Sequence, residues 1–304
     1  MDIQQKRAVV TGGAGFIGSH LVDALLLRGY AVDVIDNLEA GKKELVNPKA
    51  RFHLLDIRNY EDILPVIKGA DVVFHLAALP RVQCSIDDPK LSDEVNARGT
   101  LNVLTAVKEG GAKKFILSSS CAVYGNNETQ PLHEGLAVSP LSPYALQKSI
   151  GEEYAKLFSL LYGTATVSLR YFNVYGPRLD PEGPYALVIG LLLRLRKEGK
   201  PLTITGDGEQ TRDFTHVRDV VRANILAAES AAVSRGETIN IGSGKNITIN
   251  RLAALIGGAV EYIPARKEPR DTRADILKAK ELLGWEPTVA FEDGIAELLR
   301  EWGF

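Results

Sequence analysis

The chain has few residues that could form the cross-links or metal sites of small secreted proteins. It has only two cysteines in 304 residues, Cys84 and Cys121, too few for a disulfide framework. So few cysteines fit a reducing compartment, and we expect a cytoplasmic protein. We predict no metal site, because the histidines lack the spacing of metal ligands; these are His20, His53, His75, His133 and His216.

Net charge and long apolar runs are also scarce. The formal net charge is −2, which gives no reason to expect binding to nucleic acid or to an anionic membrane. No stretch approaches the roughly 20 apolar residues of a membrane helix; the apolar segment 187–195 is interrupted by Gly190 and Arg194. Residues 1–7 lead into a strand pattern without the apolar core of a signal peptide. We therefore expect neither secretion nor a membrane partner.

What the chain has instead is an alternation of short strands and helices through its first 170 residues. This alternation predicts an α/β fold of the Rossmann type, a doubly wound parallel sheet with helices on both faces. Beyond Gly176 the pattern loosens, which predicts a smaller C-terminal lobe. The predicted strands lie near 7–12, 31–37, 50–56, 71–78, 113–119 and 165–172, and the predicted helices near 16–28, 60–68, 92–109 and 143–162.

A glycine-rich turn follows the first predicted strand. Gly12, Gly15 and Gly18 lie between the apolar run 8–10 and a helical pattern that begins near Phe16. Such a turn lets backbone N–H groups and the helix N-terminus meet a pyrophosphate. The spacing is one residue longer than the common dinucleotide fingerprint, and by itself it also fits a plain loop.

The ends of the next strands favour the dinucleotide interpretation. Asp36 ends the second strand, where a carboxylate accepts hydrogen bonds from ribose hydroxyls and repels a 2′-phosphate. The predicted cofactor is therefore NAD, although Lys42 and Lys43 leave NADP open. After the fourth strand, Ala77 and Ala78 are small enough to let the backbone approach a cofactor, or they are simply part of a buried strand.

Tyr144 and Lys148 lie four residues apart in a predicted helix, so they share one face. Bringing a tyrosine pKa from ~10 to ~7 takes about 4 kcal/mol of preferential phenolate stabilisation. A lysine cation and a positively charged nicotinamide ring could supply that stabilisation. With the three serines 118–120 upstream, this pair forms a proton-transfer device for an alcohol.

These segments together resemble the extended short-chain dehydrogenase/reductase family, and within it the NAD-dependent nucleotide-sugar epimerases and dehydratases. The resemblance covers essentially the whole chain. With the strand pattern, it divides the chain into an NAD-binding domain over 1–172, to which the chain returns at about 213–242, and a substrate-binding lobe over 173–304. The matching segments are 11–18, 36–37, 56–58, 75–78, 118–125, 144–148, 170–173, 206–208 and 212–214.

The resemblance implies which residues contact the cofactor. Asp56 would contact the adenine amino group, or would only cap the following turn. Asn96 would lie below the active site and Tyr171 would pack on the nicotinamide, with structural roles as the alternatives. The full predicted NAD-binding set is Gly12, Gly15, Phe16, Ile17, Gly18, Asp36, Asn37, Asp56, Ile57, Leu76, Ala77, Ala78, Asn96, Ser118, Tyr144, Lys148 and Tyr171.

The resemblance likewise implies a nucleotide-sugar site. Asn173 would contact the substrate, and Arg212 would bind the diphosphate, because a guanidinium makes bidentate bonds to phosphate oxygens. A surface salt bridge is the alternative for Arg212. Arg266 or Arg270 would supply a second arginine, and the spacing favours Arg266. The predicted substrate-binding set is Ser120, Tyr144, Asn173, Arg212 and Arg266.

The implied catalytic set is Ser120, Tyr144 and Lys148, in which Ser120 hydrogen-bonds the sugar 4-hydroxyl. Dehydratases and related decarboxylases of the family place an acidic residue near the position after this serine, which here is Cys121. We therefore favour a 4-epimerase, which oxidises C4 transiently to a 4-keto sugar and reduces it again. The implied substrates are the UDP-hexoses UDP-galactose and UDP-glucose.

Several alternatives stay open. The substrate could be UDP-N-acetylglucosamine or UDP-glucuronate, and the enzyme could be a nucleotide-sugar dehydratase. A non-enzymatic regulator that senses a dinucleotide is a third interpretation, disfavoured by the intact catalytic set. Thr205 replaces an aromatic residue of many relatives in the nucleobase strand, and Thr272 lies near the position that limits the C2 substituent. In the family, the helices that correspond to 92–109 and 143–162 form a four-helix dimer interface, so we expect a homodimer.

Overall fold

The computed structural model describes residues 5–181, 187–265 and 269–304. The strands are β1 (Arg7–Thr11), β2 (Ala31–Asp36), β3 (Arg51–Leu54), β4 (Val72–His75), β5 (Phe115–Ser120), β6 (Thr166–Tyr171), β7 (Val174–Tyr175), β8 (Leu202–Thr205), β9 (Thr211–Arg212), β10 (Thr215–His216), β11 (Arg235–Ile241), β12 (Ile247–Thr248) and β13 (Val260–Ile263). The helices are α1 (Phe16–Leu27), α2 (Tyr60–Ile67), α3 (Val82–Asp87), α4 (Pro89–Asp93), α5 (Gly99–Gly110), α6 (Pro143–Tyr162), α7 (Val188–Lys197), α8 (Val217–Glu229), α9 (Ile249–Ile256), α10 (Leu277–Leu283) and α11 (Phe291–Trp302).

Seven of these strands form one parallel sheet in the order β11-β6-β5-β4-β1-β2-β3. The chain runs outward from β1 through β2 to β3, then crosses back to β4 on the other side of β1. Ligands of doubly wound sheets bind at the carboxyl ends of the strands, where the strand order reverses in this way. The predicted α/β Rossmann-type fold is confirmed, and its reversal point lies between β1 and β4.

Both faces of the sheet are covered, as the continuous apolar strands require. Residues of alternate parity point to opposite faces, so Val10 and Phe74 pack with α1, α8 and α10, whereas Val9 and Val73 pack with α2, α5 and α6. A third core belongs to the C-terminal part of the chain, where α7, α9 and α11 pack on β8. No helix within the described ranges is long and apolar enough to cross a membrane.

One predicted helix differs from a regular α-helix. The segment predicted near 92–109 is built from α4, a wide π-helical turn over Glu94–Arg98, and α5. Turns of this kind often occur at functional sites, because the extra residue changes which side chains face inward. Here the π-turn directs Asn96 into the interior, where it is buried.

Candidate active site

The glycine-rich turn forms a closely packed entry to α1. Gly12 has a φ of +73°, and a Cβ there would lie 2.6 Å from the Ala77 nitrogen. A Cβ on Gly18 would lie 2.1 Å from the Gly12 carbonyl oxygen, so neither position has room for a side chain. Helix α1 starts at Phe16 without a side-chain cap on its first N–H groups. The positive end of the α1 dipole is therefore available to an anion.

Asp36 lies at the carboxyl end of β2, beside this turn. Its Oδ2 accepts a hydrogen bond from Ala14 N at 3.0 Å and its Oδ1 accepts one from Leu38 N at 2.8 Å. Burial raises the Asp36 pKa, and the two backbone donors oppose that effect. Each oxygen keeps further acceptor capacity for a ribose hydroxyl.

Gly41 packs against Asp36 and the glycine-rich turn, a contact that the sequence analysis did not predict. A Cβ on Gly41 would lie 2.9 Å from both the Asp36 Oδ1 and the Ala14 Cβ. The loop after β2 therefore folds back onto the glycine-rich turn, and Lys42 N donates to the Ala14 carbonyl at 2.9 Å. Nothing in the local spacing of Gly41 indicates this contact.

Asp56 and Asn37 meet at the carboxyl ends of β2 and β3. Asn37 Nδ2 donates to Asp56 Oδ2 at 3.0 Å, and the Arg58 Nη2 donates to the same oxygen at 2.6 Å. The Arg58 guanidinium is the main reason that the pKa of Asp56 falls to about 2. Ile57 is buried beside Gly99, whose absent side chain makes room for it. The predicted adenine-side residues thus lie together.

The carboxyl end of β4 is fixed by buried hydrogen bonds. His75 bridges Thr11 Oγ1 at 2.8 Å and Thr100 Oγ1 at 2.9 Å, and burial lowers the His75 pKa to about 3. Leu76 and Ala77 follow, half-buried, with the Leu76 N donating to the Thr11 carbonyl at 3.1 Å. The backbone there lies directly against the glycine-rich turn.

Asn96 holds the loop that follows β4. Its Oδ1 accepts from Leu79 N at 2.8 Å, and its Nδ2 donates to the Leu79 carbonyl at 3.1 Å and to Gln147 Oε1 at 3.0 Å. Gln147 lies between Tyr144 and Lys148 on α6. Asn96 therefore connects the loop after β4, which includes Ala78, to the helix of the predicted catalytic residues.

The structure brings the three predicted catalytic residues together. The side chains of Ser120 and Tyr144 are hydrogen-bonded. Lys148 Nζ donates to the Ser118 carbonyl oxygen at 2.7 Å and lies 5.8 Å from the centre of the Tyr144 ring. The end of β5 and the first two turns of α6 thus form one cluster, as the i, i+4 spacing predicts.

The two titratable groups of this cluster have shifted pKa values. Burial raises the pKa of Tyr144 to about 12, with the hydrogen bond to Ser120 opposing the shift. Burial lowers the pKa of Lys148 to about 8, with the Glu152 carboxylate opposing it. In the chain alone, Tyr144 is therefore a neutral phenol at neutral pH, and Lys148 is mostly protonated. A further positive charge is needed to make Tyr144 a base.

Cys121 and Asn173 line the site next to Ser120. The Asn173 backbone N–H donates to the Cys121 sulfur, and burial raises the pKa of this thiol to about 11. At neutral pH Cys121 is therefore a protonated thiol and does not act as a base. Asn173 has a φ of +22°, unusual for a residue other than glycine, and its Nδ2 donates to the Asp213 carbonyl at 2.9 Å. Strained backbone of this kind is typical of functional positions.

Tyr171 is buried at the end of β6, where it pairs in register with Ser120. Its hydroxyl donates to Asn224 Oδ1 of α8 at 2.9 Å. The ring is thereby fixed at the carboxyl edge of the sheet, one strand away from Ser118.

A cavity of about 310 Å³ opens beside Asn173, towards the smaller lobe. Its lining includes Arg212, Thr205 and Gln210, together with apolar residues at the start of α7. Arg212 is half-buried and its Nη1 donates to the Thr211 carbonyl at 2.8 Å. A cavity with one guanidinium, an amide and apolar walls suits a nucleotide with a charged phosphate end.

Arg266 and Arg270 were the two candidates for a second arginine beside Arg212. Arg270 forms a two-point ion pair with Asp207, at 3.0 and 3.1 Å, on the exposed surface. Arg266 lies outside the described residues. Arg270 is joined to the site through its backbone, because its carbonyl accepts from Arg212 Nη1 at 3.4 Å.

Asp213 belongs to the matching segment 212–214 but was given no role from the sequence, and it joins loops next to Asn173, whose Nδ2 donates to the Asp213 carbonyl. Its Oδ1 accepts from the Ser243 N and Oγ at 2.6 and 2.7 Å, and its Oδ2 accepts from the Gly244 N at 2.9 Å and the Ala274 N at 3.0 Å. Burial raises the Asp213 pKa, against these donors. One carboxylate therefore joins three segments that are far apart in sequence.

The residues present fit a dinucleotide. The glycine turn leaves no room for side chains at Gly12 and Gly18, α1 begins without a side-chain cap, and Asp36 at the end of the next strand lies beside the turn, 3.0 Å from Ala14 N. Among the residues that the structure describes, no three histidine, cysteine or acidic side chains are placed to hold a metal ion.

Comparisons with known proteins agree with this geometry. Residues 8–242 match the family model described as NAD dependent epimerase/dehydratase family. A putative UDP-glucose 4-epimerase of Methanocaldococcus jannaschii is 40% identical, over 96% of both chains. The UDP-glucose 4-epimerase of Thermotoga maritima, solved with UDP-glucose, is 41% identical with a TM-score of 0.92, over 97% of this chain and 98% of that one. The UDP-N-acetylglucosamine 4-epimerase of Methanobrevibacter ruminantium M1 is 39% identical with a TM-score of 0.92, over 98% and 100%. The chain therefore belongs to the NAD-dependent epimerase/dehydratase family and is an enzyme that uses NAD.

Proposed function

We propose that the protein is a 4-epimerase that interconverts UDP-galactose and UDP-glucose. The observation that carries this proposal is the cluster of Ser120, Tyr144 and Lys148 with the neutral thiol of Cys121 beside it. Loss of water from the sugar would need a further acid and base near the ring. A cluster that handles one hydroxyl proton supports oxidation and re-reduction at a single carbon.

The proposed roles follow from the contacts. NAD, when bound, would supply the acceptor for the C4 hydride, the donor that returns this hydride to the 4-keto carbon, and a positive charge that favours the Tyr144 phenolate. Tyr144 takes the proton of the 4-hydroxyl, and Ser120, which is hydrogen-bonded to Tyr144, steadies that proton. Lys148 keeps a positive charge near the Tyr144 ring and exchanges no proton with the sugar. After the 4-keto sugar turns its other face to the site, Tyr144 gives the proton back.

Nucleotide binding is assigned to the smaller lobe. Arg212 would hold the diphosphate in the cavity, with Asn173 at the sugar end and Arg266 as the second arginine. We propose the same division for the chain as a whole, with 1–172 and the return at about 213–242 binding NAD through the set given above and 173–304 binding the substrate. An epimerase needs this firm anchor, because the sugar must turn while the nucleotide stays in place.

The direct test uses purified protein, UDP-galactose and no added cofactor, with the sugar nucleotides separated by chromatography. We expect UDP-glucose to appear, approaching a stable ratio from either substrate. A UDP-4-keto-6-deoxy sugar as the product would instead establish a dehydratase. Absence of any conversion, with or without added NAD, would contradict the proposal.

UDP-N-acetylglucosamine is the second candidate substrate. The Methanobrevibacter relative carries that name at nearly the same identity as the Thermotoga enzyme, and Thr272, which the family resemblance puts near the sugar C2, is a small residue. The same assay with UDP-N-acetylglucosamine and UDP-glucuronate ranks the three substrates by kcat/KM. A preference of more than about tenfold for the acetylated sugar, or roughly 1.4 kcal/mol, would replace UDP-hexose as the assignment.

We also infer a cytoplasmic homodimer. Helix α6 leaves Leu157, Leu160 and Leu161 exposed, at 43%, 77% and 63% of their surfaces. Apolar rows of this kind on a long helix mark an interface, and the family resemblance points to a second copy as the partner. Sedimentation should therefore give about twice the chain mass of 33.1 kDa, and a species at the chain mass would contradict the dimer.

A further inference from the structure

Glu152 is a buried carboxylate that the roles assigned above do not use. It lies on α6 one turn beyond Lys148 and two turns beyond Tyr144, so the three side chains share a face. Its side chain is only 5% exposed. The Ser119 hydroxyl donates to Oε1, the Arg170 Nε donates to Oε1 at 2.9 Å, and the Arg170 Nη2 donates to Oε2 at 2.6 Å.

The three consecutive serines of β5 each hold one residue of this α6 face. Ser120 bonds Tyr144, the Ser118 carbonyl accepts from Lys148, and Ser119 donates to Glu152. In chain order, β5 reaches α6 through the Ser118 backbone, the Ser119 side chain and, at the end of the strand, the Ser120 side chain. The register of α6 on β5 is thus set at three successive helical turns.

We propose that Glu152 is a positioning residue that keeps Lys148 charged and fixes α6 against β5. The proposal rests on the proposed function in one respect, namely that a charged Lys148 is needed beside Tyr144. The coupling between Glu152 and Lys148 is a property of the folded chain and is measurable without turnover.

The groups around Lys148 decide the direction of this effect. Tyr144 is a neutral phenol and His75, whose pKa burial lowers to about 3, is neutral as well. The Ser118 carbonyl contributes a dipole, and Arg170 lies beyond Glu152, paired with it. Glu152 is the anion that opposes the loss of charge on buried Lys148. Removing the carboxylate therefore leaves burial and the cation of Arg170 to favour the neutral lysine.

Stability alone does not account for an ion pair in this place. Replacing a buried ion pair by well-packed apolar residues is often neutral or stabilising, because both charges lose their hydration. Arg170 also keeps one buried nitrogen, Nη1, without a hydrogen-bond partner. The Arg170 guanidinium lies over the Tyr124 ring, 4.6 Å from its centroid, and the Glu152 carboxylate lies one helical turn from the Lys148 cation, on which its charge can act.

The test compares Glu152→Gln with Ser119→Ala as the matched control. Protein labelled with ¹³C at the lysine Cε is titrated by NMR, and the Lys148 signal is assigned with Lys148→Arg. We expect Glu152→Gln to lower the Lys148 pKa by about two units, since a unit charge one helical turn away acts at an effective dielectric near 20. Ser119→Ala removes a hydrogen bond but no charge, so the Lys148 pKa should stay within about 0.3 units.

Activity gives the second readout. The alkaline limit of the kcat profile should move to lower pH in Glu152→Gln, because a lysine with a lower pKa loses its proton sooner. If Glu152→Gln does not fold, Arg170→Gln serves in its place and should move the Lys148 pKa upward, because the carboxylate then acts alone. An unchanged Lys148 titration in the folded variant, or equal shifts in Glu152→Gln and Ser119→Ala, would overturn the proposal. A protein inactive on every sugar nucleotide but with the expected NMR shifts would contradict the proposed function and leave this inference standing.

Discussion

Tyr144→Phe is expected to lower kcat by about a thousandfold, the range of general acid–base catalysis. The substitution removes the one hydroxyl that bonds Ser120 and lies near Lys148, and it leaves the ring in place. Because the contacts of the glycine turn and of Asp36 are unchanged, bound NAD should remain at the wild-type amount. The measurement is the initial rate of epimerisation, with the NAD content read after denaturation.

Tyr154→Phe is the matched control, because Tyr154 lies further along the same helix, outside the cluster. It should keep kcat within about twofold, in the range of ordinary substitutions outside a site. A Tyr144→Phe enzyme that turns over within tenfold of the wild-type rate would remove Tyr144 from the proposed mechanism. Loss of NAD in this variant would instead show that the ring holds the cofactor.

Arg212→Met is expected to raise KM for the sugar nucleotide about 100-fold, since hydrogen bonds to charged groups contribute about 1.5–3 kcal/mol. Methionine keeps much of the length and apolar surface of arginine but removes the charge from the cavity wall. The diphosphate is bound in both the ground and the transition state, so the loss should appear in KM more than in kcat. Steady-state kinetics with UDP-galactose measure both constants.

Arg270→Met is the comparison variant, because the Arg270 guanidinium forms an ion pair with Asp207 at the exposed surface. Its KM should change by less than about fivefold, as for an exposed ion pair. The reverse order, with Arg270→Met the more damaging variant, would move the diphosphate contact from Arg212 to Arg270. Equal and small effects would place the contact on neither residue.

The local spacing of residues in the sequence predicts much of the fold and of the candidate site. The strands up to β6 begin within two residues and end within three residues of the predicted ones, because each is a short apolar run bounded by turns. Tyr144 and Lys148 meet Ser120 and Ser118 as the i, i+4 spacing and the parallel sheet require. Residues that follow strands of a doubly wound sheet necessarily converge at one edge.

Other parts depend on the path of the chain in three dimensions. Glu152 shares the helical face of Lys148, but its partners Ser119 and Arg170 become visible only with the pairing of β5 and β6. Gly41 matters because a loop returns to Asp36, and loop paths leave no periodic signal. The π-turn at Asn96 has no clear sequence signature, since its residues also suit an ordinary helix.

The loops that Asp213 holds together are distinct from the strand and helix that carry the proton-transfer groups. The proton-transfer groups stand on β5 and α6, whereas the loops at Ser243 and Ala274 are tied to Asp213. Substitutions in those loops would change the support of Asp213, whose carbonyl accepts from Asn173, but would leave the bond between Lys148 and the Ser118 carbonyl in place. We therefore expect the proton-transfer chemistry to tolerate sequence changes in these loops.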